Sequence, residues 1–150
     1  FLKVNNLIEN DLVTALYQAS NAGVKIRLIV RGVMGLVPGV KGQSENIQAI
    51  SIVDKYLEHS RIFVFGAGEN KKVIISSADM MKRNLDHRVE VACEMKADYI
   101  KQELLDFMEL QWSDNLKARI WNEKLDNKYV KSDKKVNRSQ EQIYDYLLKR

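Results

Sequence analysis

The sequence predicts an α/β domain, and three observations carry that prediction. Short runs rich in aliphatic and β-branched residues, such as Val24–Val30 and Arg61–Phe65, alternate with helical-period segments, such as Asn10–Ala22 and Asp98–Trp112. A strand, a helix and a second strand follow one another between Phe1 and Val30, which implies a right-handed parallel crossover. The 150 residues are 45% hydrophobic and 29% charged, the composition of one soluble globular domain.

The elements follow in order. Phe1–Val4 reads as the first strand. Asn10 is the expected cap of a helix whose apolar face carries Leu12, Val13, Leu16, Tyr17 and Ala19, and Gly23 suits the position just past its end. Val24–Val30 is the expected buried strand. Arg31–Ser44 holds four of the seven glycines and the only proline, and a loop of that length in a compact domain carries function or is disordered. Apolar residues return at Ile47–Val53. Arg61–Phe65 and Lys72–Ser76, separated by a Gly66–Asn70 turn, read as a hairpin. Ser77–Asp86 is polar, and His87–Cys93 is expected to be a further strand. Asp98–Trp112 is amphipathic, with Ile100, Leu104, Leu105, Met108 and Trp112 on one face. Lys117–Trp121 suits an edge strand, and Gln140–Leu148 a short helix capped by Ser139.

Composition excludes several function classes. One cysteine, Cys93, rules out an internal disulfide and a cysteine metal cluster, and two histidines are too few for a histidine-rich metal site. No apolar run approaches the ~20 residues of a membrane helix. The net charge is +4, too small to mark a nucleic-acid binder. That charge is unevenly spread: Lys117–Arg138 carries eight basic and three acidic residues, a solvated run or, less simply, a polyanion contact. The chain starts at Phe1 inside a strand-like run, so it is expected to be a piece of a longer protein.

Chemistry is expected beyond the carboxyl ends of the strands, where open α/β sheets bind ligands. Arg31 stands at such an end, beside glycines that free backbone N–H groups, a combination that suits phosphate. The loop lacks the Gly-Lys-Ser/Thr of a Walker A motif. His59 lies at the mouth of the next strand with Arg61 two residues on, a pairing open to phosphoryl chemistry or to a merely structural histidine. Asp79, Arg83, Asp86 and Arg88 form a polar patch that reads equally as an ion-pair network or an anion site. His87 reads as structural.

Six motifs in one order then carry a resemblance: Val30–Gly32, Pro38–Val40, Ser44–Ile47, Leu57–Ile62, Ser76–Asp79 and Arg83–Asp86. From about Lys3 to Arg119 the chain closely resembles the last catalytic domain of the histidine-dependent polyphosphate kinase family. The resemblance implies a phospholipase-D-like mixed sheet flanked by helices over residues 1–120, with 121–150 as a basic extension containing a short helix. It implies reversible transfer of the ATP γ-phosphate to polyphosphate through a phosphohistidine. The nucleophilic histidine would belong to a missing upstream domain, and the ligands of Mg²⁺ would lie outside this chain. His59 matches a second active-site histidine and Arg31 an arginine that binds ATP phosphates, whereas Arg61, Asp79 and Arg83 are motif positions without a firm role. ATP, ADP and polyphosphate are the implied partners, in a cytoplasmic or membrane-associated homo-oligomer. This chain alone is expected to be inactive. A phospholipase D phosphodiesterase is the first rival, weakened because His59-Ser60-Arg61 replaces His-x-Lys. A non-catalytic phosphate-binding or oligomerisation module is the second.

Overall fold

The computed structural model describes residues 1–133 and 135–149. The chain folds as a mixed seven-stranded sheet with helices on both faces, the expected α/β class. In chain order the elements are β1 (Leu2–Val4), α1 (Asn10–Asn21), β2 (Ile26–Val30), β3 (Ile47–Ile52), β4 (Arg61–Phe65), β5 (Lys72–Ser76), β6 (Ala92–Glu94), α2 (Asp98–Trp112), β7 (Ala118–Trp121) and α3 (Ser139–Leu148). The strand order across the sheet is β6-β5-β4-β1-β2-β3-β7.

The three central strands β1, β2 and β3 run parallel. Such strands are covered on both faces, which is why their residues are almost continuously apolar. Leu2, Val4, Leu28 and Val30 pack on one face with Leu12, Val13, Leu16 and Tyr17 of α1. The other face carries Ile29, Ile50 and Ile52 beneath Trp112, and Ile62, Val64 and Val73 beneath Met108 and Leu104 of α2. The remaining strands pair antiparallel: β4 on β1, β5 on β4, β6 on β5 and β7 on β3.

Helix α2 has the bounds its periodicity implies, and the hairpin forms as expected. Helix α1 ends in a double turn. Gly23 adopts φ +89°, its N–H bonds the carbonyl of Ser20, and the N–H of Val24 reaches back to Ala19. That closure keeps Val24 and Lys25 out of the ladder, so β2 begins at Ile26.

Three local expectations are corrected. Glu9, not Asn10, caps α1, its carboxylate accepting the Leu12 N–H at 2.9 Å. Ser139 does not cap α3: it is the first helical residue, and its N–H is taken by Asp114. His87–Cys93 is not a strand. Arg83–His87 forms one π-helical turn, and only Ala92–Glu94 pairs with β5. This is the sheet edge, where nothing buries Val89 or Val91, and Glu90 turns to the side chains of Ser77 and Asn84.

The start of α3 and the residue before it are tied to the body. Asp114 accepts the Ser139 N–H, and Arg138 forks onto Asp54 with two bonds of 2.8 Å.

Candidate phosphate site at the carboxyl edge of the sheet

The mixed topology brings the candidate residues together. Lys3 of β1 pairs with Ile29 of the parallel β2 and with Ile62 of the antiparallel β4. The end of β2 and the start of β4 therefore lie at the same edge, so Arg31 and His59 reach it from opposite chain directions. Strand β5 is antiparallel to β4, with Ser76 opposite Arg61, so it exits at that edge too and delivers Asp79.

Asp79 organises this edge. It is buried, and Oδ1 accepts the backbone N–H groups of Asn5 at 2.8 Å and Asn6 at 3.2 Å. Arg61 closes on it as a fork, Nε to Oδ1 at 3.3 Å and Nη2 to Oδ2 at 3.1 Å. Burial pushes the Asp79 carboxyl pKa up, but the Arg61 fork and the two backbone N–H groups outweigh it and hold the acid below the usual carboxylate range.

Arg61 then reaches His59. Its Nη1 donates to the His59 carbonyl at 3.1 Å and lies 3.3 Å from Nδ1 of the ring. A guanidinium only donates, so in this contact Nδ1 is the acceptor and Nε2 carries the proton. His59 is exposed. His59 itself precedes β4, and the contact with Arg61 replaces the shared strand face that the spacing implies.

Arg31 follows β2. Its backbone is pinned by the Val4 carbonyl, at 3.3 Å from the Arg31 N–H, and by the Ser51 hydroxyl, which donates to its carbonyl at 3.1 Å. The next residue must be glycine: a Cβ on Gly32 would sit 2.8 Å from Asn6 Oδ1 and 3.0 Å from the Asn5 carbonyl. That close approach lets Gly32 N–H bond Asn5 C=O at 2.7 Å. The Arg31 Nε is buried without a hydrogen-bond partner among the described residues. Arg31 and Arg119 line a cavity of about 420 Å³ with Ser51, Trp121 and Asn127.

Lys3 lies beneath, 1% exposed, paired with Glu58 at 3.1 Å. Burial lowers its pKa first, Glu58 opposes that, and the nearby charges of Arg31 and Arg61 lower it further. Three cations thus converge at one edge, with Glu58 and Asp79 as the compensating acids.

The polar patch resolves into separate parts. Asp79 pairs with Arg61 rather than Arg83 or Arg88, Arg88 lies 3.6 Å from Glu90, and Arg83 and Asp86 are exposed on the π-helical turn. His87 ends that turn away from His59 in sequence and makes no part of the Arg61 network. Asn5, Asn6 and Lys3 escaped the sequence reading. Their only signal was position: polar residues at the end of the first strand.

No three acidic, histidine or cysteine residues gather as a metal site among the described residues. Asp79 and Glu58, the carboxylates at this edge, are committed to Arg61, Lys3 and amide donors, so they do not fit a Mg²⁺ cradle. No helix among the described residues is long and apolar enough to cross a membrane.

Comparison with known proteins places nearly the whole chain among relatives. The family described as polyphosphate kinase C-terminal domain 2 matches residues 1–141, beyond the Lys3–Arg119 stretch in which the motifs lie. Polyphosphate kinases of Vibrio parahaemolyticus and Escherichia coli K12 are 49% and 48% identical over 147 residues, which is 97% of this chain and 21% of each relative. The crystal structure of polyphosphate kinase from Porphyromonas gingivalis superposes with a TM-score of 0.95 at 48% identity, covering 99% of this chain and 23% of that one. The chain thus spans about a fifth of the length of the relatives it matches. With a match over nearly its whole length in sequence and in fold, the chain belongs to the polyphosphate kinase C-terminal domain 2 family.

Proposed function

We propose that this chain forms one wall of a polyphosphate kinase active site, in which the terminal phosphate of ATP moves reversibly to a polyphosphate chain through a phosphohistidine on another part of the enzyme. The observation that carries this reading is the contrast between two arginines at one edge. Arg61 is fully engaged by Asp79 and His59, whereas the buried Nε–H of Arg31 has no acceptor among the described residues. Buried donors are normally satisfied, so an oxyanion is the natural complement of Arg31.

Phosphoryl transfer asks little covalent chemistry of the protein and much positioning and charge stabilisation. Arg31 supplies a fixed cation to the phosphate oxygens. His59, oriented by Arg61, offers Nε2–H as a hydrogen-bond donor to a phosphoryl oxygen whose charge grows in the transition state, in either direction of transfer. Mg²⁺ would neutralise phosphate charge, held by groups outside this chain. The working enzyme in this reading is a cytoplasmic homo-oligomer.

The test is His59→Ala in the full-length enzyme. Losing one hydrogen-bond donor to a transition-state oxyanion costs about 10²–10³-fold, so polyphosphate synthesis should fall by at least about a hundredfold. The exposed ring makes few packing contacts, so the melting temperature should hold within a few degrees. Near wild-type turnover refutes the role. The 150-residue chain alone, given labelled ATP and Mg²⁺, should neither become phosphorylated nor make polyphosphate. An acid-labile phosphate on His59 would contradict this.

A further inference from the structure

His59 closes an irregular segment, Val53–Ser60, that links β3 to β4. Nothing regular in that segment holds it, yet it sets where the histidine sits. Its anchors come from far away in the chain. Gln140, in the first turn of α3 and buried, grips the backbone of Tyr56 from both sides: Oε1 accepts the Tyr56 N–H and Nε2 donates to the Tyr56 carbonyl, each at 2.8 Å. The same Nε2 donates to Glu58 Oε1 at 2.8 Å. Glu58, the residue immediately before His59, also takes Lys3 Nζ at 3.1 Å and the Gln111 amide on its other oxygen. Upstream, Arg138 forks onto the buried Asp54.

We infer that Gln140, assisted by Arg138, is a positioning residue for His59, so that the segment beyond the main sheet takes part in catalysis without touching substrate. This rests on the reading that His59 acts on the phosphate. Both N–H groups of the Gln140 amide and its oxygen are spent on one short stretch of backbone and on Glu58. A helix that merely covered the sheet would need no such grip on an irregular, exposed segment. Removing the Gln140 grip leaves the Tyr56 backbone without its two anchors, between Asp54, still held by Arg138, and Glu58, still held by Lys3 and Gln111. A misplacement of about 1 Å at a reacting group lowers turnover by about a hundredfold.

The experiment uses the full-length enzyme, with Gln140→Met, which keeps length and apolar volume but removes all three hydrogen bonds. Expected are a kcat at least about tenfold lower, a KM for ATP within about twofold of wild type because Arg31 is untouched, and a kcat restored in no part by added ATP. Arg138→Lys, which keeps the charge but loses the fork, is the gentler second variant, expected to lower kcat about two- to threefold, and it decides alone if Gln140→Met does not fold. Leu148→Ala, at the exposed end of α3, is the control and should keep wild-type kcat. Wild-type kcat in both clamp variants, or an equal loss in Leu148→Ala, overturns the inference. His59→Ala is measured alongside: if it is fully active the proposed role of His59 has failed, whereas an inactive His59→Ala beside active clamp variants overturns the positioning role only.

Discussion

Two buried aspartates, one at each end of the sheet's polar edge, do similar work by different means. Asp79 binds two backbone N–H groups and the fork of Arg61. Asp114 holds no cation among the described residues and takes backbone N–H groups: those of Leu116, Lys117 and Ala118 on one oxygen, and of Ser139 on the other. Both are held below the usual carboxylate range against the upward push of burial, Asp79 by Arg61 and backbone, Asp114 by Ser139, Lys117 and Ala118. The difference lies in what each carboxylate organises. Asp79 holds a cation that reaches onward to His59, so its charge is transmitted to the site. Asp114 turns the chain out of α2 and docks α3, so its charge ends in structure.

Substitutions should separate the two. Asp79→Ala strands a buried guanidinium and two N–H groups, and breaking one side of a buried pair costs about 3–5 kcal/mol, measured by urea denaturation. It should also lower kcat of the protein that remains folded, because Arg61 loses its anchor. Asp114→Ala strands only backbone donors, some of which water can reach, and should cost about 2–3 kcal/mol. Its effect on kcat should be smaller than that of Asp79→Ala. Equal losses of kcat would erase the distinction.

Acid sharpens it further. The folded pKa of each aspartate is depressed, so the stability each contributes is present above the unfolded carboxylate value near pH 4 and is lost as pH falls through the lower folded value. Stability measured from pH 5 down to pH 2 should fall less steeply in Asp79→Asn and in Asp114→Asn than in the parent. An unchanged slope in either variant would mean that its aspartate does not contribute.

Arg31→Ala is the counter-case at the same edge. Its buried Nε–H has no acceptor among the described residues to lose, so the melting temperature should stay within about two degrees. Nucleotide affinity of the full-length enzyme should weaken at least about tenfold, equal to about 1.4 kcal/mol. A large fall in melting temperature with unchanged affinity would make Arg31 structural and reverse the contrast with Arg61. The smallest effect is expected at the basic run. Lys128 already pairs with Asp126, and exposed lysines are well screened, so Lys124, Lys128 and Lys131 changed together to Gln should alter polyphosphate affinity about twofold or less.

Much of this was legible in the sequence where causes are local. The period of Asp98–Trp112 set α2 to the residue, and Gly23 marked the end of α1 because only the chain's own neighbours decide that turn. The strand over His87–Cys93 failed because a strand needs a partner and a buried face. At the sheet edge nothing buries Val89 or Val91, and among the described residues Val91 bonds only Ser76 and Ser77 at the exit of β5.

The sequence by itself determined the α/β alternation, the glycine loop after a buried strand, and the two residue types, arginine and histidine, that phosphate chemistry calls for. Tertiary structure alone decided which arginine is spent and which is open. That choice depends on Asp79, 74 residues from the Asn5 amide it binds, and on the antiparallel entry of β4, which brings His59 to the edge where β2 leaves Arg31. It also decided that Gln140, 84 residues beyond Tyr56, holds the segment before His59. Local propensity acts over a turn or two of chain, whereas hydrogen bonds and charge pairs are set by distance in space, and only the folded sheet fixes that distance.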